Sequence, residues 1–170
     1  MEAKLLNPAQ QGVKPNSQLA LNLICSLLIL LWVYTALSKL SDVQEFKNQL
    51  MYQSFGKELA MILLWAIPIA ELLAAGLLLI SSTRLLGLWL SSLLMAAFTI
   101  YIIMVLSGYY HQIPCSCGGV LKQLGWKSHL FFNLFFLTIS SIGTYGQTKL
   151  HLQKIKSHPP NNPVKLTSRK

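Results

Sequence analysis

The chain has 170 residues, of which 53% are hydrophobic and only 11% charged, with a formal net charge of +9. Soluble domains carry about 25% charged residues, so this composition argues against a water-soluble globular protein. The positive charge points to a membrane surface rather than to nucleic acid, because the basic residues cluster at the ends of apolar runs, six of the fourteen Lys and Arg lying between Lys149 and Lys170.

In chain order, a polar segment (residues 1–18) with Lys4 and Lys14 precedes the first apolar run, Leu19–Leu37. That run of 19 residues exceeds the apolar region of about 7–15 residues in a signal peptide, so it reads as a retained span. Cys25 within it is a small packing residue. Lys39 closes the span and is expected to snorkel outward, too near the surface to meet a group at mid-membrane.

The loop that follows, "SDVQEFKNQLMYQSFGK", predicts a short helix lying in the outer interface. Ser41 and Gln44 have capping-box spacing, and Val43, Phe46 and Leu50 recur at helical intervals among charged residues. Three more apolar runs come after it: Leu59–Ile80, Leu85–Leu106 and Leu130–Gly146. A helix needs about 20 apolar residues to cross a core about 30 Å thick, and runs this long without alternation are helical in lipid. The expected fold is therefore an all-α integral membrane protein, a bundle of four transmembrane helices at residues 19–146. Four spans put both ends on one side. With the termini cytoplasmic, nine of the fourteen Lys and Arg lie inside, which is the orientation the positive-inside rule favours.

Glu71 lies in "WAIPIAELLAAG", about 18 Å along the second span from Leu59 at ~1.5 Å per residue. A carboxylate at that depth costs a few kcal/mol in lipid and should face the bundle interior. It could relay a proton or hydrogen-bond a carbonyl ligand, or equally serve only to bond hydroxyls across helices. Pro68, three residues earlier, frees a backbone carbonyl. His129 and Asn133 stand four apart at the outer end of the fourth run and share a helix face.

Between the third and fourth runs lies "HQIPCSCGGV", residues 111–120. The topology puts this loop outside, where disulfides persist. Cys115 and Cys117 flank a single serine, so a bond between them closes a small, strained ring that contributes little stability and stays labile. Gly118 and Gly119 leave the sulfurs open to a partner. A redox role outranks a structural one. With His111 the pair could also offer soft ligands to Cu(I), but two thiolates and one distant histidine are a thin set, and no metal site is expected. The C-terminal segment, residues 147–170, is basic and proline-containing and reads as a solvated cytoplasmic tail without fixed structure, with His151 and His158 exposed.

The stretches "PCSCGG", "SKLSDVQEF" and "IPIAELLAAGLLL" resemble the methylamine-utilisation MauE family, which belongs with the DoxX-like four-helix membrane proteins. The resemblance runs from about Leu19 to Gly146, and the cysteine pair followed by glycines is its most specific part. It implies a bacterial inner-membrane protein that assists disulfide formation or thiol exchange outside the cytoplasm, in the family during methylamine dehydrogenase maturation. It also implies a periplasmic thioredoxin-like partner. On this chain Cys115 and Cys117 would take the exchanging roles as part of a thiol–disulfide oxidoreductase system. Apart from the resemblance, the residues themselves offer Glu71, His111, His129 and Asn133 as supporting groups, and a redox role allows a quinone as electron acceptor. The alternative is a non-enzymatic scaffold or assembly subunit in which the cysteine pair is a clip. The lipid bilayer is a partner in either case, and nucleic acid in neither.

Overall fold

A computed structural model describes residues 15–52, 56–108 and 125–157. It contains five helices: α1 (Pro15–Ser41), α2 (Val43–Met51), α3 (Lys57–Leu79), α4 (Arg84–Leu106) and α5 (Trp126–Ser157). No strand occurs among the described residues. Leucine- and alanine-rich runs favour helix, and α1, α3 and α4 are each long and apolar enough to cross a membrane, with mean hydropathies of 2.1, 2.3 and 2.1. The fourth expected span, α5, falls outside that group. Polar residues punctuate it, and it runs on to Ser157, into the segment expected to lack fixed structure.

The helices turn apolar side chains outward. Leu30 on α1, Ile62 on α3, Leu93 on α4 and Phe131 on α5 are each more than 60% exposed. Apolar surface on all four long helices suits a hydrocarbon environment and would be a liability in water.

Inside, two apolar clusters follow the length of α3. The larger gathers Leu28 and Trp32 of α1, Ala74 and Leu78 of α3, and Leu88 and Met95 of α4. Trp32 is fully buried and donates its indole N–H to Ser91 Oγ at 2.9 Å, so this polar tip has a partner. Gly87 makes the close approach of α4 to α3 achievable, since a Cβ there would stand 2.9 Å from the Leu78 backbone nitrogen. At Gly143 a Cβ would lie 3.0 Å from Ile24 and 3.1 Å from Leu88, so α5 also comes in close, but against side-chain tips.

The second cluster, Phe46 and Leu50 of α2 with Ala60 and Leu64 of α3, accounts for the short helix. That helix exists where the periodicity predicts it. Its N-cap, however, is Asp42 rather than Ser41: the Asp42 carboxylate accepts from the Glu45 backbone N–H at 3.0 Å. The Ser41 hydroxyl instead turns back to the Ser38 carbonyl. A carboxylate at the helix N-terminus also gains from the helix dipole, which a hydroxyl cannot match. The apolar face of α2 docks on the N-terminal half of α3, and Gln44, Glu45 and Asn48 remain exposed. Thus α1 and α2 succeed one another along α3.

Candidate functional site

The buried stripe of α3 reads Ala60, Leu64, Pro68, Glu71, Ala74, Ala75 and Leu78. Its spacing of three and four residues is that of one helix face, so Glu71 is carried inward by the same periodicity that buries its apolar neighbours. Glu71 is 1% exposed. The helix continues through Pro68, which is itself buried in the stripe.

Its partner is Lys39. The Lys39 Nζ lies 2.7 Å from Glu71 Oε1 and 3.3 Å from the Thr35 carbonyl one turn back on α1. The expected outward snorkelling does not occur: Lys39 is buried, with its ammonium 5.9 Å from the centre of the Phe46 ring. The reason is α2. Because the chain does not leave the bundle after α1 but continues along α3, the end of the apolar run is not the end of the packed structure. The lysine there is covered by Phe46. A buried ammonium must be paired, and the carboxylate on the facing stripe is the group in reach.

From α5, His129 and Asn133 face the bundle interior. Both are buried and stand on the helix face that also carries Ser140 and Thr144. His129 lies in the first turn of α5 and within electrostatic reach of Lys39. Thr99 of α4 is buried as well, with its hydroxyl turned to the Met95 carbonyl at 2.7 Å. Three of the supporting residues expected from sequence, Glu71, His129 and Asn133, are therefore buried polar groups. Glu71 pairs with Lys39, which sequence reasoning set aside. The available signal was that a buried acid needs a cation, and Lys39 is the basic residue adjoining the first apolar run.

Glu71 Oε2 on α3 and Asn133 Nδ2 on α5 are buried with no partner at close hydrogen-bond distance, although the Thr35 hydroxyl of α1 also bears on the Glu71 carboxylate. One is an acceptor and the other a donor, and each such group left unmade costs about 1–3 kcal/mol. His111, Cys115 and Cys117 lie outside the described residues. Cys25 is a buried free thiol in the larger apolar cluster, where it fills space as a small apolar residue.

The model of the family described as methylamine utilisation protein MauE matches residues 17–146. The chain belongs to that family. The matched stretch contains all of α2, α3 and α4, the residues Cys115 and Cys117, and the part of α5 that carries His129 and Asn133. No curated protein and no solved structure matches the chain.

Proposed function

We propose that this MauE-family membrane protein assists disulfide formation or thiol exchange in proteins outside the bacterial cytoplasm, with Cys115 and Cys117 as the exchanging pair. The single observation that carries the reading is the Cys-Ser-Cys sequence in a polar loop, set within the stretch that matches the family. In this reading the residue-19–146 domain crosses the inner membrane four times, α5 providing the fourth crossing. Both termini face the cytoplasm, and the loop faces outward, where a labile disulfide can persist. A strained pair across one serine is suited to exchange rather than to stabilising the fold. Its thiol partner is a periplasmic thioredoxin-like protein, and a membrane quinone is the electron acceptor.

Cys117, beside Gly118 and Gly119, is the attacking residue and Cys115 resolves the mixed disulfide. In cells quenched with acid, Cys115→Ser should accumulate a reducible covalent adduct with a periplasmic thiol protein, and Cys117→Ser should accumulate less. An impermeant thiol reagent applied to intact, reduced spheroplasts should label the pair. A pair that stays permanently oxidised, with no adduct in either variant, would replace this reading with the scaffold one, in which the cysteines are a clip and Lys39–Glu71 fixes helix packing.

A further inference from the structure

At the end of the bundle where α3 turns into α4, a cation is held in place without an anion. The five acidic residues of the chain are Glu2, Asp42, Glu45, Glu58 and Glu71, and none follows Glu71. Asp42 and Glu45 belong to the start of α2, and Glu58 to the first turn of α3, the opposite end of that helix. Glu71 is held by Lys39. Arg84 opens α4 and is half-buried, and its Nη1 donates to Asn22 Oδ1 of α1 at 2.9 Å. Asn22 is neutral, so this bond orients the guanidinium without balancing its charge. Arg84 Nε is buried and has no acceptor. Nε–H and one Nη2–H form the side edge of the guanidinium, two parallel donors of the kind that grip a phosphate or carboxylate in bidentate fashion. With Nη1 committed to Asn22, that edge is what remains for a ligand.

We propose that Arg84, positioned by Asn22, binds the phosphate of an anionic phospholipid. Two phosphate oxygens accept from the Nε–Nη2 edge, while Asn22 holds the fork by its other nitrogen. The setting fits a lipid better than a soluble phosphate. α3 ends at Leu79 and α4 begins at Arg84, and both are long and apolar enough to span a membrane. The guanidinium therefore stands where a membrane-length helix reaches the head groups. From Asn22, the exposed side chains of Leu23, Leu27 and Leu30 follow α1 toward mid-membrane and offer an acyl chain an apolar track. An anionic head group is favoured over a zwitterionic one because no acid offsets the charge at this end. A Cβ on Gly146 would lie 3.5 Å from Leu21, the neighbour of Asn22, so α5 passes the same end of the bundle, and Lys149 is exposed one turn further on. The site is independent of the cysteine pair and of its chemistry.

The test is native mass spectrometry of the purified, delipidated full chain in detergent, titrated with phosphatidylglycerol, phosphatidylcholine or inorganic phosphate. One phosphatidylglycerol per chain should bind at concentrations where phosphatidylcholine does not, and inorganic phosphate should not displace it. Arg84→Gln should weaken that binding about tenfold, the scale of a lost charge-assisted contact. Arg84→Lys keeps the charge but has no fork, and it should also bind more weakly than the unaltered chain. This variant carries the test should Arg84→Gln fail to fold. Asn22→Leu frees Nη1 and should weaken binding by less than Arg84→Gln does. Lys149→Gln removes the same charge away from the fork and should change the affinity by no more than about twofold. Equal losses in Lys149→Gln and Arg84→Gln, or full affinity in Arg84→Lys, would mean diffuse attraction of lipid to a basic end and would overturn the site. Displacement by inorganic phosphate would make a soluble anion the occupant and overturn the lipid assignment. Phosphatidylcholine binding as tightly as phosphatidylglycerol would overturn the preference for anionic lipid.

Discussion

Two layers of the same bundle treat their polar groups differently. Around Trp32 the interior is almost entirely apolar, and its one indole N–H is matched to the Ser91 hydroxyl. Two helical turns further along α1, at Lys39, a charge pair is buried, and the second carboxylate oxygen of Glu71 has no donor at close hydrogen-bond distance. The first arrangement is what packing alone selects: shape complementarity with every polar atom satisfied. The second carries an incompletely satisfied carboxylate that an apolar replacement would not have, and that kind of departure marks functional layers more often than structural ones.

The largest effect should come from splitting the ion pair. Lys39→Met leaves the Glu71 carboxylate buried without its cation and should destabilise the chain by about 3–5 kcal/mol, read as a fall in the thermal midpoint in detergent. Adding Glu71→Leu to that variant should restore most of the loss, because an apolar pair of similar volume is close to neutral there. A double variant as unstable as the single one would mean that the layer depends on charge for its packing.

In the apolar layer, Gly87→Ala should be the most damaging small change. Its Cβ would meet the Leu78 backbone nitrogen at 2.9 Å, so the backbone of α3 or α4 has to shift, at a cost of about 1–3 kcal/mol. Gly143→Ala meets only the side-chain ends of Ile24 and Leu88, which can move, and should lower the midpoint less. Equal effects at the two glycines would contradict the difference between backbone and side-chain contact.

Trp32→Phe tests the satisfied polar contact. It strands the Ser91 hydroxyl and opens space, and should lose about 1–3 kcal/mol. Adding Ser91→Ala should recover part of it. The smallest effect should be that of Asp42→Ala, which removes the α2 cap and should cost about 1 kcal/mol, measurable as faster amide exchange in residues 43–46. An unchanged exchange rate would show that the Phe46 and Leu50 contacts hold α2 without its cap.

Much of this was legible in the linear chain. Four apolar runs anticipate the four long helices because in lipid the backbone must satisfy itself, and a helix is the way a single segment does so. The burial of Glu71 follows from the expense of a carboxylate in hydrocarbon combined with the three- and four-residue spacing of its neighbours. The short helix after α1 follows from Val43, Phe46 and Leu50. The choice of Asp42 over Ser41 as its cap was not legible, since both stand at an N-terminus and only the local backbone decides which side chain reaches the Glu45 N–H.

What the sequence by itself determined was the class of environment and the family: helices for a membrane, one acid among apolar residues, and a cysteine pair in a loop matched to MauE. Only the tertiary structure decided the fate of Lys39. Hydropathy ends the first run before it and assigns it to the surface. Whether a lysine is at a surface nevertheless depends on what packs beyond it, and α2 lies there, placing Phe46 over its side chain. The pairing of residues 32 positions apart arises from the antiparallel packing of α1 on α3. Contacts between distant segments set that geometry, and no local pattern of residue types encodes it.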